Sequence, residues 1–109
     1  MSAPLADLIQ ALEAQNEVVG RARNDFLAKD DERKHFEATM IQSALGKSHA
    51  ERTVNAQARP EWLTFHQALA RAQAVYEFQK FKLEILDKEW LAQYLVLKSD
   101  GPLIKKQGA

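Results

Sequence analysis

The chain has 109 residues, 46% of them apolar and 28% charged, which allows one domain with a core and an ordinary polar surface. Fifteen Lys and Arg balance fifteen Asp and Glu, so the chain has neither the basic excess of a wholly basic nucleic-acid binder nor the acidic excess of a nucleic-acid mimic. With no cysteine there are no disulfides, thiolate nucleophiles or cysteine-type zinc sites, as fits a reducing cytoplasm.

No apolar run approaches the roughly 20 residues that span a bilayer. Residues Met1 to Asp7 lack a basic stretch followed by an apolar one, so no signal peptide is expected and the location expected is cytoplasmic. A chain this short leaves much of its surface bare, which favours self-association or a partner.

Pro4 suits the first turn of a helix, where its missing N–H costs nothing. Apolar residues follow at Leu5, Leu8, Leu12, Val19, Ala22 and Phe26, in steps of three and four with Gln15 filling one slot. The same phase passes through Lys29 and Arg33 and resumes at Phe36 and Met40. The charged run from Lys29 to Lys34 is therefore either a solvated stretch of one helix or a kink. Gly20 costs about 1 kcal/mol against alanine, which a long helix absorbs. Gly46 suits the end, so the first helix is expected over about 4–45.

Ser48 and Glu51 have the spacing of a capping box. The Ser oxygen would meet the N–H at the third helical position, and Glu would reach back. A short helix over 48–58 follows, ending before Pro60 because the residue preceding proline disfavours the helical region.

The last segment is the most regular. Trp62, Phe65, Leu69, Ala72, Tyr76, Gln79, Leu83, Leu86, Trp90 and Tyr94 form a heptad-like seam, with Leu97 beyond. A weaker stripe runs through Val75, Phe78, Phe81, Ile85, Ala92 and Val96. One helix with two apolar faces needs two neighbours. Gly101 and Pro102 make a stop, so this helix is expected over 60–98, with a flexible tail over 99–109.

Two segments of similar length joined by a short connector predict an all-α fold: an antiparallel hairpin of two long helices with a short connecting helix, forming one helical domain. A hairpin alone leaves one face of the last helix bare. Pairing two hairpins as a homodimer would close a helical bundle.

Chemistry is sparse. The glycines are isolated, so no phosphate-binding loop exists, and neither a nucleophile elbow nor a zinc-protease motif is present. His35, His49 and His66 lie in three different segments. His35 with Glu32 or Asp31 reads as a solvated face, and His66 as a residue at the core boundary. Asp30, Asp31 and Glu32 are adjacent in a helix and so point apart. No catalytic residue, metal site or cofactor is expected.

The aromatics of the last segment read first as core and dimer seam. A stacking platform for single-stranded nucleic acid would interleave aromatics with cations. Lys80, Lys82 and Lys88 do interleave, but Glu77, Glu84, Asp87 and Glu89 do so equally. The connector gives a clearer basic patch: Lys47, His49, Arg52 and Arg59 face only Glu51 nearby. Lys105 and Lys106 add charge in the tail, at the other end of a hairpin. An antiparallel dimer would bring tail and connector together. Such a patch is ordinary surface charge, or it contacts phosphate or docks an acidic partner.

The stretch Lys47-Ser-His-Ala-Glu-Arg52, then Pro60-Glu-Trp62 and a long aromatic and charged helix ending in Lys98, resembles small helical accessory proteins of bacteriophages and prophages. Some of these are encoded beside recombination or single-strand-annealing genes. The resemblance is one of layout and spacing across residues 36–98. It implies a non-enzymatic protein that binds a protein partner in the host cytoplasm, in DNA recombination or in inhibition of a host system. The alternative reading is a weak single-stranded DNA binder using the connector patch.

Overall fold

A computed structural model describes the backbone of residues 3–108 and the side-chain surroundings of residues 4–98. The fold is all-α, with three helices and no strand among the described residues: α1 over Ala3–Ser43, α2 over His49–Gln57 and α3 over Pro60–Gly108. It is the expected hairpin of two long helices joined by a short one. Its contacts fall into two compact units. One joins α1 up to Val19 with α3 from Phe78 onward, and the other is Gly20–Glu77.

α1 is continuous through Asp30. The charged run holds because it is laced along its own surface. Lys29 pairs with Asp25 at 3.4 Å, while Arg33 reaches Asp30 at 3.3 Å and Glu37 at 2.9 Å. Pairs three and four residues apart lie one above the other on a helix and add a few tenths of a kcal/mol each. The hydrogen bond that Arg33 donates to Glu37, then the one it donates to Asp30, raises the Arg33 pKa above its ordinary value. The residues in the phase of the stripe are the covered ones along the whole helix: Leu5, Leu8, Gln15 and Met40 are buried, and Phe26, Lys29, Arg33 and Phe36 are half-buried.

In the first unit, Leu5 and Leu8 form the buried apolar part. The Gln15 amide donates to the backbone oxygen and to Oε1 of Gln79, at 2.8 and 2.9 Å. This satisfies a buried polar side chain in an otherwise apolar seam. It also fixes which turn of α1 meets which turn of α3, because a slip of one turn would leave the amide unpaired. Leu83, Leu86 and Trp90 are half-buried on the same side of α3 as Gln79, and Trp90 stacks on Tyr94 at 5.2 Å.

In the second unit, α1 and α3 again run antiparallel. Phe36 stacks on Phe65 with ring centroids 4.2 Å apart, and Phe26 lies over Tyr76 at 6.1 Å. Met40, Ala56 and Ala72 are buried, and Trp62 and Leu69 are half-buried beside them. Of the seam residues, Tyr94 alone is exposed.

One expectation is revised: α3 does not stop at Gly101 and Pro102 but continues to Gly108. A proline inside a helix deletes one backbone hydrogen bond, and the helix carries that loss near its end. The second stripe of α3 is the face that a lone hairpin leaves bare: Phe78, Phe81, Ile85 and Val96 are exposed.

Candidate functional site

The connector is built by a few polar contacts. Gly46 has φ 149°, a backbone state that side-chain-bearing residues rarely adopt. A Cβ there would lie 2.9 Å from the Arg52 nitrogen and 3.0 Å from the Glu51 Cβ, so only glycine lets the chain turn this tightly onto α2. Ser48 caps α2, accepting a hydrogen bond from the Glu51 N–H at 3.1 Å. The Glu51 carboxylate accepts from the N–H of Lys47 at 2.9 Å. This is a capping box whose return bond lands one residue earlier than the usual N-cap position. The Asn55 amide donates to the Leu45 carbonyl, and Arg52 reaches the Gly46 carbonyl at 3.4 Å.

Between α1 and α2 these contacts leave an open cleft of about 600 Å³. Lys34, Glu37, Ala38, Ile41 and Gln42 line it from α1, and His49 and Arg52 from α2. Ala38 and Ile41 supply an apolar floor, and Lys34 and Arg52 supply permanent positive charge. Glu37 is the cleft's single carboxylate, and it is engaged elsewhere. One oxygen accepts from Arg33 at 2.9 Å, and the other lies 3.8 Å from His66 Nε2. The charge left for a visitor is therefore positive.

His66 belongs to an aromatic cluster behind Glu37. It stacks on Trp62 at 4.8 Å and meets Phe65 and Phe36 edge-on. Its Nδ1 lies 2.8 Å from the Trp62 carbonyl. A carbonyl only accepts, so Nδ1 carries the proton and Nε2 faces the carboxylate.

The four residues of the connector patch do not converge. His49 and Arg52 line the cleft, but Arg59 lies apart, in a recess with Ser43, Ala44, Leu45 and Asn55. There it donates to Ser43 Oγ at 3.1 Å and pairs with Glu61 at 3.5 Å. Lys47 is exposed and lines neither. The side chains of Lys105 and Lys106 lie outside the described residues. Lys34, Ala38 and Ile41 were not singled out from the sequence. Their spacing puts them on one side of α1, but only the position of α2 makes that side a wall.

The α3 aromatics do not make one platform either. Trp62, Phe65, Tyr76 and Trp90 are half-buried in the seam, while Phe78 and Phe81 face outward. No group of three or more His, Asp or Glu that would hold a metal ion occurs among the described residues. No described helix is long and apolar enough to cross a membrane. No protein-family model, curated protein or solved structure matches this chain.

Proposed function

We propose that this chain is a non-enzymatic docking protein. Its cleft between α1 and α2 takes an acidic, partly apolar segment of a protein partner, and a homodimer closes the helical bundle. The observation that carries the reading is the state of the cleft. It has an apolar floor and two permanent cations, and its own carboxylate is occupied by Arg33. Apolar contact would supply affinity for such a segment, and the cations would supply orientation and a faster encounter. The resemblance to phage and prophage accessory proteins gives the setting: DNA recombination, or inhibition of a host system, in the bacterial cytoplasm.

The alternative, a weak single-stranded DNA binder, keeps Lys47, His49 and Arg52 of the connector patch as phosphate contacts and gains Lys34 from the cleft. It loses Arg59, which is spent on Ser43 and Glu61.

Fluorescence anisotropy separates the two. A labelled amphipathic peptide carrying glutamates on one face is titrated against the wild type and a Lys34→Glu, Arg52→Glu variant, beside a single-stranded oligonucleotide of equal charge. Docking predicts that the peptide binds the wild type more tightly than the oligonucleotide does, and that the variant loses it. Oligonucleotide binding with no peptide binding contradicts the docking reading.

A further inference from the structure

The second stripe of α3 lies on the side of the helix away from the seam. Phe78 is 59% exposed and Phe81 57%, so each leaves roughly 100 Å² of ring bare, given about 200 Å² for a whole aromatic side chain. Ile85, Leu95 and Val96 are also exposed. Together these residues reach the several hundred Å² of contiguous apolar surface that marks an interaction face. With the flanking Lys82, Lys88 and Glu89, the face approaches the roughly 800 Å² per partner of a standard interface.

This face is uneven along its length. Its first half is bulky, with Phe78 and Phe81 standing out. Its second half carries the small Ala92, with Leu95 and Val96 exposed beyond it. Beside Ala92 an open apolar groove of about 310 Å³ is lined by Ala92, Gln93, Val96, Leu97 and Pro4. Charges of both signs flank each half: Lys82, over the Phe78 ring at 5.7 Å, and Glu84 lie on the Phe81 side, and Lys88 and Glu89 on the Ala92 side.

We infer that the occupant of this face is the same face of a second copy, laid antiparallel, with Phe81 set against the partner copy's Ala92 groove and Lys82 opposite its Glu89. A two-fold interface presents each contact twice, so the bulk of each copy meets the hollow of the other and each cation meets an anion. The same register brings Lys88 level with the partner copy's Glu84. A parallel pairing does the opposite: it sets Phe81 against Phe81 and Ala92 against Ala92, crowding one end and leaving the other hollow, and it brings Glu89 to the partner copy's Glu84. A foreign helix would fit the groove, but nothing would require it to carry the complementary charge order. The second copy carries it necessarily. This deepens the dimeric part of the reading above and does not depend on the cleft.

The test is a charge swap read by light scattering at micromolar concentration, with helicity checked by circular dichroism. The wild type is expected at about 25 kDa, twice the 12.4 kDa of the chain. Lys82→Glu and Glu89→Lys each oppose like charges at two symmetric places, and each should weaken association on the order of tenfold or more. The double variant, Lys82→Glu with Glu89→Lys, should restore the dimer. A monomeric wild type overturns the inference, and so does a double variant that stays dissociated.

A second measurement fixes the direction. The chain has no cysteine, so Lys82→Cys with Glu89→Cys introduces the only pair. These positions lie about 10 Å apart along one helix and cannot bridge within a chain. Mild oxidation should link the double variant into a covalent dimer and leave Lys82→Cys alone largely unlinked. A double variant that links no better than Lys82→Cys alone would overturn the antiparallel register. A dimeric wild type that does not bind the acidic peptide would count against the cleft alone, and a monomeric wild type that binds it against this interface alone.

Discussion

At the scale of single residues, two glycines with opposite roles carry the local architecture. Gly20 sits inside α1, and a Cβ there would meet nothing within 4 Å, so the helix bears the entropic cost of glycine for no packing return. Gly46 turns the chain onto α2 at φ 149°, with the Arg52 backbone 2.9 Å from any added Cβ. Gly20→Ala should therefore stabilise the protein by about 0.5–1 kcal/mol. Gly46→Ala should destabilise it by about 1–3 kcal/mol, from backbone strain and crowding together. Urea denaturation of the two variants measures both. A destabilised Gly20→Ala would show that α1 bends at that point, and an unchanged Gly46→Ala would show that the connector relaxes without cost. The structure and the sequence agree closely on such local features. The Ser48 and Glu51 spacing announces the cap, because a cap is made by residues three apart. The fate of Arg59 is not legible in this way. Its partner Ser43 is sixteen residues back, and only the folded connector brings the two together.

At the scale of helices, periodicity locates the covered faces. The three-and-four rhythm of α1 runs unbroken through Lys29 and Arg33, and both side chains are half-buried in phase. Charge there does not break the helix, because Asp25, Asp30 and Glu37 are spaced to pair with it. Gln15 and Gln79 occupy seam slots in the two helices, and they hydrogen-bond each other. Periodicity does not say which of two apolar faces of α3 a single chain can cover. The seam is covered and the Phe78, Phe81, Ile85 stripe is not, since one α1 offers one stripe. Nor does it reveal the cleft, whose α1 wall is defined by where α2 lies. A paired substitution separates the two faces. Leu83→Asp places a charge in the half-buried seam and should cost about 2–4 kcal/mol, with a clear fall in Tm. Phe81→Asp, on the exposed face, should leave the Tm of dilute protein within a few degrees of the wild type. Thermal melts followed by circular dichroism at low concentration test this. Equal losses would mean that both faces are packed inside the chain.

At the scale of the whole molecule, the balance of fifteen basic and fifteen acidic residues makes the local arrangement of charge matter more than its sum. The internal pairing of Glu37 with Arg33 leaves Lys34 and Arg52 as unopposed charge in the cleft, and the proposed dimer would set Lys82 of each copy opposite Glu89 of the other. A neutral protein with a small basic, apolar-floored cleft is better matched to a protein segment than to a long phosphate backbone, which rewards many cations along one track. The most direct measurement of that claim is affinity capture of the tagged protein from bacterial host lysate, with and without nuclease, beside the Lys34→Glu, Arg52→Glu variant. The account predicts a retained protein that survives nuclease and is lost with the variant. Retention that vanishes with nuclease, or that ignores the variant, would contradict it.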